Sequence, residues 1–343
     1  MEPLVLRADA GPHIGTGHVM RSLALAQAWQ DRGGRVVLVA REVGEALRER
    51  VQSEGVPVER VGAPAGTAGD AYETLDVAQR VGARWVAADG YAFDAVYQQA
   101  LVDGGVRVLV LDDYGHADAY PAHVVLNQNL SADPALYRPR GPGTRLLLGT
   151  DYAMLRRDFR ETSPRPAPDA ARSVLVTLGG ADAGNVTATV LDGLAALDRA
   201  GLDVTVVTGS ANPHRDDLAE RLDRAPYAGR LLHAVRDMPG LMRRADVAVS
   251  AGGSTCWELA YLGVPSAVVV LTENQRAIAE ALDRRGVAVN MGEFDLLTPS
   301  AVSRAVAGLV DNDARRRAMA ARAVALVDGR GALRVADALL NTP

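Results

Sequence analysis

Two glycine-bearing turns hold the side chains that could do chemistry in this chain of 343 residues. The first runs Asp9-Ala10-Gly11-Pro12-His13-Ile14-Gly15-Thr16-Gly17-His18. Gly15 and Gly17 let the backbone approach a ligand closely, and the helix starting there offers unbonded amide hydrogens to an anion or a polar sugar group. The spacing differs from the dinucleotide-binding glycine fingerprint. His18 falls in the first helical turn. Imidazole exchanges protons near neutral pH, so a histidine on a glycine-rich approach suits a general base. A histidine that caps the helix or packs on a sheet is the competing reading.

The second turn is Ala251-Gly252-Gly253-Ser254-Thr255, followed by a helical pattern over Cys256–Leu262 that stops at Gly263. Gly253 with the hydroxyls of Ser254 and Thr255 has the composition of a diphosphate cradle at a helix N-terminus. Glu258 stands three positions after Thr255, so the same residues also spell a capping box that binds nothing. A further turn, Leu178-Gly179-Gly180-Ala181-Asp182, reads equally as a ligand contact through Gly180 or as an ordinary strand-to-helix turn.

Positioning these turns requires strands before them and helices after them, and the sequence supplies both. Short apolar runs at Leu4–Leu6, Val36–Ala40, Trp85–Ala88, Val106–Leu111, Val124–Leu126, Val174–Leu178, Val204–Val207, Val247–Ser250 and Ala267–Leu271 read as strands. Helical patterns such as His18–Arg32, Ala183–Ala200 and Thr255–Leu262 alternate with them, which predicts parallel sheets with crossover helices. The proline-rich Ser163–Pro168 segment cannot continue a helix and reads as a connector. Two Rossmann-like α/β domains are therefore expected, residues 1–160 and 161–343, facing across a cleft.

Composition narrows the function. The formal net charge is −5 with no long basic face, so nucleic acid is not expected as a partner. All 37 basic residues are arginine, which excludes Schiff-base chemistry, pyridoxal phosphate attachment and Walker-type phosphate loops. The single Cys256 excludes an intrachain disulfide and a cysteine-rich zinc site. His13, His116, His123, His214 and His233 lack ligand-pair spacing, and Asp311-Asn312-Asp313 reads as a helix cap rather than a metal motif, so no metal and no cofactor are expected. No signal peptide or membrane span is read, and a cytoplasmic location is the expectation. The oligomeric state is not legible.

Ordered matches then extend along nearly the whole chain: Arg7-Ala8-Asp9, Gly15-Thr16-Gly17-His18 with Arg21, Asp89-Gly90-Tyr91, Asp112-Asp113, Asn127, Gly149 through Arg156, Gly179-Gly180-Ala181-Asp182, Ser254-Thr255 with Glu258, and Asn274-Gln275. Together they resemble the UDP-sugar hydrolases of pseudaminic acid biosynthesis and the related spore-coat polysaccharide proteins, within the GT-B superfamily. The resemblance implies a nucleotide-sugar substrate and, as products, UDP and a free amino or deoxy sugar. It implies that His18 deprotonates a water that displaces the nucleotide at the anomeric carbon with inversion and without metal. It places Tyr91 and Asn274 beside the sugar and Ser254 on the nucleotide, and gives the ribose to Glu258. Gly15, Gly17, Arg21, Gly180, Gly253, Thr255 and Gln275 complete the expected substrate-binding set. In an inverting displacement the base and the diphosphate lie on opposite walls, which two domains would supply. The Ser250–Pro265 segment also resembles the donor-binding signature of glycosyltransferases. A transferase using an acceptor hydroxyl in place of water therefore stands as the alternative, and a silent nucleotide-sugar sensor as a third.

Overall fold

A run such as Leu4–Ala8 or Val36–Ala40, apolar at nearly every position, is stable only where both faces of a sheet are covered. The computed structural model, which describes residues 2–342 except Pro12, His13, Ala181, Asp198, Ala200, Ser210 and Ala211, has two such sheets. The first contains β1 (Leu4–Ala8), β2 (Val36–Ala40), β3 (Val58–Arg60), β4 (Trp85–Asp89), β5 (Arg107–Leu111), β6 (Val124–Asn127) and β7 (Arg145–Leu148). Their order is β3-β2-β1-β4-β5-β6-β7, and every pairing is parallel. The period of two divides the side chains between two cores: Leu4, Leu6, Val36 and Leu38 enter one, and Val5, Val37 and Val39 the other.

The second sheet contains β8 (Ser173–Thr177), β9 (Asp203–Thr208), β10 (Ala228–His233), β11 (Val247–Ala251), β12 (Ser266–Val270) and β13 (Ala288–Glu293). It too is parallel, in the order β10-β9-β8-β11-β12-β13. In each sheet the chain winds outward in one direction, then returns to the centre and winds in the other. Crevices beyond the strand C-termini therefore form beside β1 and β4 in the first sheet and beside β8 and β11 in the second.

The chain forms two compact units, Met1–Arg157 with Gly329–Pro343, and Asp158–Asp328. The final stretch, expected within the second domain, thus belongs to the first. The reason lies in the helix Gly331–Leu340, whose Ala332, Val335, Ala336 and Leu339 are buried in the core beside Leu23 and Ala24 of the helix Gly17–Gln30. The helix start also approaches closely: a Cβ on Gly331 would stand 2.2 Å from the Ala153 carbonyl oxygen. The Ser163–Pro168 segment carries neither helix nor strand.

Candidate functional site

In the first unit, β1 delivers the chain into the glycine turn that opens the helix Gly17–Gln30. Gly15 has φ +76°, a backbone state that a side chain would strain, and its amide bonds back to the Gly11 carbonyl at 2.8 Å. Thr16 is the N-cap but its side chain makes no cap hydrogen bond. Asp9, at the loop's start, is a structural anchor: its carboxylate accepts from the Arg41 and Glu42 amides and pairs with Arg7 at 2.8 Å. His13 and Ala181 lie outside the described residues.

His18 does not cap the helix. Its Nδ1 lies 2.6 Å from Asp89 Oδ1, at the end of β4. The Asp89 side chain is fully buried, and that of His18 is 12% exposed. An imidazole that donates Nδ1–H to a carboxylate keeps its lone pair on Nε2, and Nε2 has no partner among the described residues. Burial alone would raise the Asp89 carboxyl, yet the charges of Arg21 and His18 and their hydrogen bonds hold it below the ordinary carboxylate range.

Arg21, one helical turn after His18, was expected on the substrate side. The structure turns it inward. Its guanidinium donates to both oxygens of Asp89 at 2.6 Å and to those of Asp113 at 2.8 and 3.0 Å, so its fork joins two carboxylates. Asp113 follows β5 and also accepts from Tyr91 Oη at 2.7 Å and Asn129 Nδ2 at 2.8 Å. Burial works against its charge as well, but Arg21 and these donors bring the carboxyl down to about 2. Tyr91, expected at the sugar, has its hydroxyl on Asp113 and its ring edge-on to His18, with centroids 5.1 Å apart.

A second histidine–carboxylate pair stands nearby. His116 Nδ1 lies 2.9 Å from Asp112 Oδ2, and Tyr91 packs against His116 at 5.6 Å and Tyr114 at 5.1 Å. Asp112 accepts from three backbone amides, those of Tyr114, Gly115 and His116, and from the buried Tyr120 hydroxyl. Sequence reasoning assigned no role to Asp89 or Asp113. Their signal is an acid at the end of an apolar strand run, closing Trp85–Asp89 and standing two positions after Arg107–Leu111.

In the second unit, β11 leads through Gly252 and Gly253 into the helix Thr255–Leu262. Ser254, not Thr255, occupies the N-cap, and its side chain makes no cap hydrogen bond, so the alternative of a capping box starting at Thr255 is not the arrangement here. Glu258 is half-buried one turn on. Gln275 lies against this turn: its Nε2 would be 3.7 Å from a Cβ on Gly253, and its Oε1 accepts from the Leu271 amide. Asn274 accepts from the Thr272 hydroxyl at the start of the helix Glu273–Arg284.

The Gly179–Asp182 turn differs. Asp182, buried and at φ +44°, accepts from the Val186 and Thr187 amides at 2.8 and 3.0 Å, closing the N-terminus of the helix Val186–Ala195 with the protein's own carboxylate. Gly180 lies close to Gly209, where a Cβ would come within 2.3 Å of the Gly180 carbonyl oxygen. Among the described residues no group of three or more His, Cys, Asp or Glu side chains could hold a metal ion, and no helix is long and apolar enough to cross a membrane.

Comparison with known proteins follows the same division. The crystal structure of Acinetobacter baumannii MurG superposes with a TM-score of 0.68 over all of both chains at 18% identity. The fold is that of the GT-B glycosyltransferases. Within this GT-B chain, residues 173–334 match the family described as "Glycosyltransferase family 28 C-terminal domain". That match covers β8 to the last helix and includes the whole β11 turn. The spore coat polysaccharide biosynthesis protein SpsG of Bacillus subtilis is 30% identical over 56% of this chain and 57% of its own length. The UDP-2,4-diacetamido-2,4,6-trideoxy-beta-L-altropyranose hydrolase of Campylobacter jejuni is 21% identical over 83% of this chain and 98% of its own. The chain spans about half the length of the first curated relatives it matches.

Proposed function

We propose that this GT-B chain is a hydrolase of nucleotide-activated sugars, with UDP as the nucleotide and His18 as the base. The observation that carries the reading is the His18–Asp89 pair. A carboxylate at 2.6 Å fixes the ring, and the other ring nitrogen has no partner among the described residues, at a sheet position where α/β proteins bind ligands. The base takes one proton from water, the water oxygen bonds to the anomeric carbon, and the bond to the diphosphate oxygen breaks. UDP leaves with that electron pair, and His18 later returns its proton to solvent. Asp89 stays ionised, since Arg21 answers its charge, and so stabilises the imidazolium that forms.

The β11 turn supports a nucleotide role. The helix Thr255–Leu262 has no side-chain cap at its N-cap, so amides and hydroxyls at that end can serve a diphosphate, with Glu258 on the ribose. Tyr91 and Asn274 would contact the sugar. The chemistry proposed here needs no metal. The resemblance to a UDP-sugar hydrolase over 98% of that protein's length supports water as nucleophile. The second reading, an inverting transferase in which His18 deprotonates an acceptor hydroxyl, is favoured by the match of residues 173–334 to a glycosyltransferase domain. Incubation with a panel of nucleotide sugars without acceptor, followed by phosphorus NMR, separates the two. Release of nucleoside diphosphate that survives chelation is the expected result. Release only on adding an acceptor would establish the transferase.

A further inference from the structure

We propose that Asp113 is a positioning residue that acts through Arg21 to leave the His18 base facing one uncompensated negative charge. The inference rests on the reading of His18 as base, and concerns a carboxylate to which neither the sequence nor that reading gives a part. Its ground is a charge count over a connected, buried cluster. One guanidinium, that of Arg21, is shared by two carboxylates, Asp89 and Asp113, whose side chains are 0% and 9% exposed. With His18 neutral the cluster is one charge negative. Once His18 takes a proton from the nucleophile the cluster is neutral. Without Asp113, Arg21 would cancel Asp89, and protonation of His18 would leave a buried excess of positive charge. Asp113 therefore favours the protonated state that forms during the reaction, although it does not touch the ring.

The surrounding charges are the same with and without Asp113, so they do not alter the difference that it makes. Tyr91 donates a neutral hydroxyl to Asp113, and Asn129 donates a neutral amide. Tyr114 remains a neutral phenol, since burial and the neighbouring carboxylates raise it. Asp112 is paired with His116, and on β1 Arg7 is taken up by Asp70 and Asp9. Arg21 keeps its proton despite burial because Asp113 and Asp89 raise it well above its ordinary value.

Two variants remove the charge: Asp113→Asn keeps the shape, and Asp113→Ser carries the test if asparagine disturbs folding. Two readouts are taken on the full chain, the proton NMR titration of the His18 ring, assigned against His18→Asn, and kcat/KM against pH with a cleaved nucleotide sugar. Both the ring transition and the acid limb should move to lower pH, because a nearby negative charge is lost, while plateau kcat falls roughly 10-fold and KM stays within about 2-fold. Asn129→Ser, which removes a neutral donor to the same carboxylate, should leave both transitions in place. If both Asp113 variants melt earlier but titrate like wild type, Asp113 is only structural and the proposal falls. If wild type cleaves no nucleotide sugar, the functional reading fails instead, and the ring titration still decides the coupling.

Discussion

His18–Asp89 and His116–Asp112 are the same pair of side chains in the same unit, both packed against Tyr91, and they differ in what surrounds the contact. Asp112 serves its own loop, with three amides and the Tyr120 hydroxyl on its oxygens. His116 is tucked against Tyr91 and Tyr114 with a side chain 6% exposed, and although burial opposes its charge, Asp112 raises it toward the ionised state. Among the described residues Asp89 accepts from His18 and Arg21 alone, and the ring it orients sits at a glycine-lined helix start with one nitrogen unpartnered among those residues. On the proposed reading the His18 contact serves a base, because its carboxylate carries no loop amides and its ring, 12% exposed against 6% for His116, sits at the helix start. On the same reading the His116 contact, whose carboxylate organises a loop, is a brace.

The sharpest way to break this contrast is to replace each histidine in turn. His18→Asn keeps a hydrogen-bonding side chain but cannot take a proton, so kcat should fall roughly 10²–10⁴-fold with UDP affinity unchanged by calorimetry. His116→Asn should stay within about 10-fold of wild-type turnover. Equal losses would erase the distinction. The carboxylates extend the test: Asp89→Asn should lower kcat by roughly 10–10³-fold, because the ring loses both its orientation and its charge partner. Asp112→Asn should act on stability, lowering it by about 1–3 kcal/mol in a denaturant titration as buried donors lose an ionised acceptor.

The two glycine turns of the second unit allow a parallel comparison. Glu258→Ala should weaken UDP binding by about 1–3 kcal/mol, whereas Asp182→Ala should remove about 1 kcal/mol of stability and leave UDP affinity alone. Loss of affinity in the Asp182 variant only would reverse the assignment. A smaller effect concerns acid. Asp113 is lowered from an unfolded value near 4 to about 2, so its contribution of about 2 kcal/mol is complete above roughly pH 4 and is lost as pH falls toward 2. The stability gap between wild type and Asp113→Asn should therefore be constant near neutrality and close over that acid window.

What was legible in the sequence follows burial. Each of the nine strands expected from apolar runs corresponds to an observed strand, among them every strand interior to its sheet. The four that escaped, β3, β7, β10 and β13, are the four sheet edges. Their side chains are mixed and largely half-exposed or exposed, and an edge strand covered on fewer sides needs no continuous apolar run. The helix expected over Ala183–Ala200 begins later, at Val186, because Asp182 and the left-handed Asn185 form a turn before it. At the site, His18 was legible because its glycines are adjacent in sequence. Asp89 and Asp113 reach it from strand ends 71 and 95 residues downstream, which only the β1-β4-β5 order brings together. The partners of Arg21, Asp89 and Asp113, are likewise distant in sequence, so its inward pairing is not legible there.

Following cleavage of a UDP-sugar by proton NMR, faster than mutarotation and beside the His18→Asn variant, tests the central claim most directly. The account predicts that the sugar first appears as the anomer opposite to that in the substrate, and that the variant binds but scarcely turns over. Retained configuration, or near-normal turnover in His18→Asn, would contradict it.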